Sequence, residues 1–578
     1  MRANADLLWT LALHLVLTGV PGVAAALVAI RLGARDVPLI LAIALAVSGS
    51  AAFAAFWAYY ANPTIGQAWD FLVLFGAIQA GAWAAYRGGL DRELLRRLRT
   101  PLLLWVLGCF FIVYLGFLHG GNDEALAMSA TRFSSQLPSD NDIPRFFAEW
   151  FAASGSAGTI PVYPPDWLMS DRPPLQVGYV LSQRAFVDGT DATTLNYQIL
   201  CVVIQQLWIV GMWAVLVAAR LRPATRGLAM LAMLVSDVAI LHGFFVWPKL
   251  IAAAFLLAAL ALVISPHWQR LRRDPRAGVL LGCLLALAML AHGSSVYGVL
   301  PLLLIAAYRG LPSWRWLGAA AAVGIVLIGS WTAFQRYADP PGDRLVKWHL
   351  GGALEVDERG ALETIVDNYG AIGLDGTLEN KWNNVEELSG WSRGGFELDR
   401  AADAVGDGDL DTALASIRTY RFFSLLPFLG LFLVAPFAML LARNRPRRDE
   451  REWRFALLTF AFVAIGCAFW VLLQWGIPGH STTMLHAGAL ALPLLAVCAC
   501  VAGLRTTFPR LAVAVVAAAM LATLLIYVPS LTPPPGTSYS PVAALLAAAA
   551  LVGFAAAAFE WSPGRAKPGP EYDSEAGR

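Results

Sequence analysis

The sequence predicts an all-α polytopic membrane protein with about fifteen transmembrane helices. The 578 residues are 58% hydrophobic and only 14% charged, and the mean hydropathy is +0.59. Soluble domains carry about a quarter charged residues. Apolar runs, most of them about 17–25 residues long, recur along the whole chain and can each cross the hydrocarbon core as a helix. The predicted spans are 7–30, 37–60, 69–86, 101–118, 197–219, 227–246, 249–265, 277–292, 296–308, 316–335, 421–442, 455–475, 484–504, 511–529 and 541–559.

Arginine is concentrated in the short loops between these spans. The clusters lie at 87–99, 220–226, 270–276, 309–315, 443–454 and 505–510. With fifteen spans, all of the clusters fall on one side of the membrane, which the positive-inside rule identifies as the cytoplasm. The N-terminus is then outside and the C-terminus inside.

Two loops on the outer side are long and acidic. Residues 120–195 carry nine acidic and four basic residues, a net charge of −5, and residues 337–420 carry seventeen acidic and seven basic residues, a net charge of −10. Loops of this length are usually functional or separately folded. We expect the second loop to form a small lid of helices and turns. Four aromatic residues are expected to supply its core: Trp348, Trp382, Trp391 and Phe396.

The first loop contains an amphipathic segment at 143–151. Its helical periodicity predicts a helix that lies on the membrane surface. Pro144 suits the first turn, and Asp142 suits the N-cap position. Four aromatic residues share one face of this helix: Phe146, Phe147, Trp150 and Phe151.

Polar residues that could carry chemistry are concentrated on the outer side. They are Asp123, Asp140, Asp142, Asp171, Arg172, Lys249, His292, His349, His480 and His486. Each has an ordinary structural alternative, because an aspartate can cap a helix or pair with a neighbouring arginine, and a lysine can snorkel at a helix end. A histidine can pack at the interface, and the spacing of these histidines does not indicate a zinc site. Nothing in the sequence indicates nucleic-acid binding.

The order of residues in the first loop resembles that of the superfamily C membrane glycosyltransferases (GT-C). Asp142-Ile-Pro-Arg-Phe is followed by a short amphipathic helix, by Pro161-Val-Tyr and then by Asp171-Arg-Pro-Pro-Leu. The likeness is to the branch that contains the lipid A aminoarabinose transferase and the protein O-mannosyltransferases. Here Phe146 replaces the family's tyrosine, Ile143 replaces its second acid, and the loop follows the fourth predicted span instead of the first.

The resemblance implies a GT-C-like fold and a glycosyltransferase of the bacterial plasma membrane. Such an enzyme moves a sugar from a polyprenyl-phosphate donor to a lipid, glycan or protein acceptor on the outer face. Asp142 is the expected general base, with Asp140 as its assistant or a metal ligand and Asp123 as the alternative acid. Whether a divalent metal takes part is left open, and no other cofactor is expected.

The remaining site residues are assigned to the donor phosphate and to support. The phosphate is expected to meet Arg172, Lys249 and His292. The supporting or substrate-contacting residues are expected to be Asp171, His349, His480 and His486. An anionic lipid leaving group requires such cationic donors, because an acidic loop alone would repel it.

The chain divides into five predicted parts. They are an N-terminal three-span block at 1–100, a GT-C-like core at 101–336 that includes the outer loop 120–196, an acidic outer loop at 337–420, C-terminal helices at 421–560, and a disordered cytoplasmic tail at 561–578. Two other functions remain open. A polymerase or ligase of lipid-linked glycans also has many spans and large outer loops. A lipid or glycan flippase or transporter predicts inverted repeats and charges near mid-bilayer.

Overall fold

A computed structural model describes residues 2–86, 91–133, 137, 139–187, 193–356, 358–444, 447–476, 490–529 and 539–559. The regular secondary structure of these ranges is helical, and they contain no β-strand beyond one isolated bridge between Tyr163 and Trp167. The helices are α1 Arg2–Arg31, α2 Val37–Ala61, α3 Pro63–Tyr86, α4 Arg92–Gly116, α5 Ala125–Thr131, α6 Ile143–Ser154, α7 Leu175–Leu181, α8 Thr193–Gln205, α9 Trp208–Ala218, α10 Pro223–Leu234, α11 Asp237–Phe245, α12 Lys249–Ile264, α13 Trp268–Leu271, α14 Pro275–Ala291, α15 Val296–Tyr308, α16 Trp314–Tyr337, α17 Arg344–Gly351, α18 Ala361–Ser389, α19 Trp391–Gly406, α20 Leu410–Phe423, α21 Leu425–Leu429, α22 Val434–Leu441, α23 Glu450–Leu473, α24 Ala491–Thr507, α25 Pro509–Tyr527 and α26 Pro541–Ala558.

The helices are compatible with a polytopic membrane protein. In the described residues, nine helices are long and apolar enough to cross a membrane, or up to eleven if each of two bent pairs counts as one span. The bent pairs are α10 with α11, at 54°, and α20 with the segment 425–441, at 108°. Four shorter apolar helices coincide with the remaining predicted spans: α12, α14, α15 and α24. The count of fifteen stays a prediction.

The centre of the bundle is formed by helices that are buried on every side. In the most apolar 18-residue stretch of Thr194–Ala218, 94% of the residues are buried. Every residue of α12 from Lys249 to Val263 is also buried. Peripheral candidate spans differ: in the corresponding stretches of Pro63–Tyr86 and Trp314–Tyr337, only 17% and 11% of the residues are buried. An apolar helix that is buried all round belongs to a protein core, whereas an exposed apolar helix suits contact with lipid.

The arginine-rich loops meet at one end of the bundle. Arg222 donates to Glu452 from both its backbone N–H and its guanidinium, at 2.9 and 2.5 Å. Asp36 lies within electrostatic range of both Arg220 and His267, which brings the loops after α1, α9 and α12 together. The two acidic loops meet at the opposite end, as the contacts described below establish.

Helix α6 differs from the expected surface helix. Phe151 packs edge-on against Phe56 of α2, and its ring also meets Phe334 of α16. Phe147 and Phe151 are fully buried. The apolar face of α6 is therefore covered by protein, and the prediction that it lies on the membrane surface is wrong. Amphipathicity alone does not distinguish these two ways of covering an apolar face.

The second acidic loop is helical, but the expected aromatic core is wrong for three of its four residues. Trp382, Trp391 and Phe396 are 59%, 82% and 68% exposed, whereas Trp348 is partly buried. Its helices instead make polar contacts with the first loop and with the C-terminal end of α23.

Candidate functional site

Asp140 joins the first acidic loop to the turn between α11 and α12. Its Oδ2 accepts a hydrogen bond from the Arg172 guanidinium at 2.6 Å, and its Oδ1 accepts one from Trp247 Nε1 at 2.5 Å. The side chains of Asp140 and Arg172 are 15% and 16% exposed. The charge-assisted bond and the indole bond together fix the carboxylate, and the remaining exposure leaves it accessible.

Two glutamines hold the turn that carries Trp247 and Lys249. Helix α11 ends at Val246, whose φ of +62° is unusual for a β-branched residue. Gln176 Nε2 donates to the Val246 carbonyl at 2.9 Å. Gln205 Oε1 accepts from the backbone N–H groups of the two residues after Lys249, at 2.9 and 3.1 Å. These bonds satisfy the first turn of α12 and fix the place from which Lys249 projects.

The ammonium of Lys249 is buried without a counterion among the described residues. The residue is 4% exposed, and its Nζ lies 3.6 Å from the centroid of the Trp247 ring. Within the described ranges, no carboxylate lies within ion-pair distance of Nζ. Asp140 acts on it only through longer-range electrostatics, and Arg172 opposes that attraction. A buried ammonium without a partner is costly, so this side chain is either neutral or is stabilised by a bound anion.

Two imidazoles adjoin this ammonium. His292 caps the end of α14, and His349 lies in α17 of the second acidic loop. Both are within electrostatic range of Lys249 and Arg172, and His292 is also within range of His349. The fold thus brings two histidines, one lysine and one arginine from four parts of the chain to one place.

Both imidazoles accept hydrogen bonds at Nδ1. Nδ1 of His292 accepts from the backbone N–H of Ser294 at 3.3 Å, and Nδ1 of His349 accepts from Gln474 Nε2 at 3.2 Å. In a neutral ring, Nε2 then carries the proton and is a donor. Burial, reinforced by the positive charges of Arg172 and Lys249, lowers the pKa of His349 to about 4.

Asp171 serves a structural role one residue before Arg172. Its Oδ2 accepts from the backbone N–H of Leu168 at 2.9 Å and lies 3.6 Å from Arg344 Nη1. Arg344 also pairs with Asp166 at 2.6 Å. Burial raises the pKa of Asp171 to about 6, although the charges of Arg344 and Arg172 oppose this rise. The buried Arg344 thus clamps the second acidic loop onto the first.

The other predicted acids lie apart from the cationic residues. Asp142 occupies the N-cap position of α6, as predicted, but its side chain makes no cap hydrogen bond and instead holds Arg145 in a bidentate pair, at 2.5 and 2.9 Å. Asp123 is exposed, in the short 3₁₀ turn that precedes α5. His480 and His486 lie outside the described residues.

Asp140 and Asp142 point in different directions because they share a 3₁₀ turn. This turn spans Ser139–Asp142. With three residues per turn, side chains two positions apart are separated by about 240° around the axis. Only Asp140 therefore faces Arg172 and Trp247.

The residues around Asp140 suit an anion better than a metal cation. Arg172 is paired with it and Lys249 lies within electrostatic range, and positive charge on either would repel a divalent ion. In the part of the chain that the structure describes, no group of three or more His, Cys, Asp or Glu side chains could hold a metal ion. The groups gathered here are therefore an amine, a guanidinium and imidazoles, which can donate hydrogen bonds to an anion.

Three positions at this site were not apparent from the sequence. Gln474 orients His349, Arg344 holds both acidic loops, and the ring of Trp167 lies 4.4 Å from the Arg172 guanidinium carbon. Gln474 and Arg344 are far from the first loop along the chain, and no local pattern marks them. Trp167 lies close to Asp171-Arg-Pro-Pro-Leu, which is a signal that could have drawn attention to it.

Comparison with known proteins gave no match to this chain among family models, curated proteins or solved structures.

Proposed function

We propose that this protein is a membrane glycosyltransferase of the GT-C type, which takes its sugar from a polyprenyl-phosphate donor. The single observation that carries the proposal is the buried Lys249 side chain, which has no carboxylate partner among the described residues and lies beside Arg172 and two imidazoles. A phosphate would supply the missing negative charge. The adjacent carboxylate of Asp140 would supply the base.

The proposed reaction needs one base and one anion-stabilising group. The acceptor hydroxyl attacks the anomeric carbon, a new carbon–oxygen bond forms, and the bond from that carbon to the phosphate oxygen breaks. The hydroxyl proton passes to a carboxylate, and the electron pair leaves with the polyprenyl phosphate. General-base catalysis contributes about 10²–10⁴-fold, and cationic donors stabilise the charge that develops on the leaving phosphate.

The geometry favours Asp140 over Asp142 as the base. Both carboxylates are held by hydrogen bonds, but Asp140 is held by Arg172 and Trp247 beside Lys249, whereas Asp142 is held by Arg145. The base and the phosphate-binding groups must act on neighbouring atoms of one sugar phosphate, so they must lie together. Asp142 remains the alternative that the family resemblance favours.

The acidic loops and the site share one end of the bundle, opposite the arginine-rich loops. By the positive-inside rule this end faces outward. A polyprenyl phosphate carries its headgroup at the membrane surface, which is the level at which a turn between two apolar helices ends. The acceptor would then approach from the outer aqueous side.

The test is binding of undecaprenyl phosphate to purified protein in detergent, measured by titration. Lys249→Met is expected to weaken binding by about tenfold or more, since a hydrogen bond to a charged group contributes about 1.5–3 kcal/mol. The matched control is Arg359→Met, because Arg359 is an exposed cation that already pairs with Asp367. Equal affinity of Lys249→Met and the parent protein would remove Lys249 from the proposed site.

A second measurement separates a transferase from a flippase or transporter. The protein is incubated with a panel of undecaprenyl-phosphate sugars, and free undecaprenyl phosphate is quantified. A transferase releases it together with a glycosylated acceptor. Movement of intact donor across a bilayer without release would favour the transporter.

A further inference from the structure

In the distal half of α18, residues 374–389, two asparagine side chains are turned inward. Asn380 exchanges hydrogen bonds with the backbone of Gly476, at 3.0 and 3.1 Å. Asn384 donates to the carbonyls of Val471 and Gln474, at 3.0 and 2.8 Å. Asn380 and Asn384 are 5% and 2% exposed. This face is therefore fixed to the chain that leaves α23.

The same face makes a close backbone contact that requires glycine. A Cβ on Gly476 would lie 2.0 Å from the Asn380 carbonyl oxygen. Lys381, next to Asn380, donates to the Gln474 carbonyl at 2.8 Å and to the Tyr369 hydroxyl. Polar contacts therefore fix this part of the helix to the chain that leaves α23.

The opposite face is apolar and open. Leu374, Leu378, Trp382 and Val385 are between 38% and 74% exposed. Their spacings of four, four and three residues place them in one stripe along the helix. In a water-soluble helix such a stripe would be covered by the protein core. Here the polar face is covered and the apolar stripe is left open.

The position of this helix points to what covers the stripe. Its inward face is bonded to residues 471–476, at the end of α23 that lies opposite the arginine-rich loops. Leu472 and Leu473, in the last turn of that span, are themselves 62% and 39% exposed. The helix that carries the open stripe therefore adjoins the exposed end of a candidate membrane span.

The charges of the helix indicate which part of a lipid the stripe can contact favourably. Exposed acids, among them Asp375 and Glu379, lie beside the stripe. They give no electrostatic attraction to anionic lipid headgroups, in contrast to the basic helices that usually bind such surfaces. Burial of apolar side chains among acyl chains is the remaining favourable contribution.

We propose that the distal half of α18 is an anchor embedded in the outer leaflet, with Leu374, Leu378, Trp382 and Val385 among the acyl chains. This inference does not depend on the proposed glycosyl transfer. The anchor would also link the membrane to the candidate site. Asn384 of the anchor donates to the Gln474 carbonyl, and the Gln474 side chain donates to Nδ1 of His349. Lipid contact would thus support the position of that imidazole.

The test compares an environment-sensitive fluorophore placed in the apolar stripe with one placed among the acids beside the stripe. Leu378→Cys and its neighbour Glu379→Cys are both exposed, so they form a matched pair. Cys283 and Cys467 are replaced by alanine in the background, because the other four cysteines are buried. Each variant is labelled and placed as a single copy in phosphatidylcholine nanodiscs, with and without brominated acyl chains.

We expect the label at position 378 to emit at shorter wavelength than the label at 379 and to be quenched severalfold more by brominated lipid. Replacing part of the phosphatidylcholine with phosphatidylglycerol should not strengthen either effect. Equal emission and equal quenching at the two positions would overturn the anchor. A short-wavelength emission at 378 that brominated lipid fails to quench would also overturn it, since protein would then cover the stripe. Leu374→Cys provides a second probe of the same stripe if Leu378→Cys does not fold.

Discussion

Arg172 and Asp140 form a 2.6 Å ion pair between two motifs of the first acidic loop that are 32 residues apart. The pair selects one acid of the Ser-Asp-Asn-Asp turn and places it beside the buried Lys249. The same loop is clamped to the second acidic loop by Arg344. These contacts define the region in which variants should affect function and not only folding.

Asp140→Asn is expected to lower glycosyl transfer by about 10²–10⁴-fold, because an amide cannot accept the proton of the acceptor hydroxyl. Asp142→Asn is expected to retain most of the activity, since the Asp142 carboxylate already holds Arg145. Initial rates of both purified variants are the measurement. Asp123→Asn tests the alternative acid, and it is expected to retain activity because Asp123 is exposed. Loss of activity in Asp142→Asn with retention in Asp140→Asn would assign the base to Asp142.

Arg344→Ala is expected to lower the free energy of unfolding by about 3–5 kcal/mol, because it leaves a buried acid without its cation. Asp171 is 2% exposed, and Arg344 Nη1 lies 3.6 Å from it. Thermal unfolding in detergent provides the measurement. The double variant Arg344→Ala/Asp171→Asn should recover part of the loss, since the uncompensated charge is then absent. No recovery would mean that the bonds from Arg344 to Asp166 and Leu354 dominate.

The stability of the protein should depend on pH through His349. Its pKa is lowered to about 4 in the folded protein, against about 6.5 in an unfolded chain. The unfolded state therefore binds more protons between these values, so this stabilising contribution is present above pH 6.5 and is lost as the pH falls towards 4. One group changes the free energy of unfolding by at most about 1.4 kcal/mol per pH unit.

The measurement is the unfolding midpoint of the parent protein and of His349→Gln between pH 7 and pH 4.5. The difference between the two should shrink or reverse as the pH falls. Asp171 acts in the opposite direction, because its pKa is raised to about 6 and the stability that it contributes is lost as the pH rises through that value. Asp171→Asn in both backgrounds removes this opposing contribution. Parallel pH profiles of the two proteins would contradict the assignment to His349.

Both acidic loops should be accessible from outside the cell. Ser156→Cys in the first loop and Asp407→Cys in the second occupy exposed positions, as does Arg273→Cys at the arginine-rich end. A membrane-impermeant maleimide should label the first two in intact cells and the third only after permeabilisation. Labelling of only one of the two loops would contradict the contact between them.

The sequence by itself determined the helical class, the approximate positions of the spans and the existence of two acidic loops. These features follow from local composition, because an apolar run long enough to cross a bilayer must satisfy its backbone bonds as a helix. The sequence also pointed to Arg172, Lys249, His292 and His349, since charged or imidazole side chains at span ends are uncommon. Their proximity was an expectation that no local pattern could establish.

The tertiary structure decided which side chains meet and which faces are covered. A single 3₁₀ turn separates Asp140 from Asp142, and Gln474 reaches His349 from 125 residues away. The apolar face of α6 is buried by protein, while the apolar stripe of α18 is left open. Hydrophobic periodicity gives the face of a helix but not its neighbour. Which segment packs against that face depends on contacts between residues that are far apart in the chain, and no local sequence pattern indicates them.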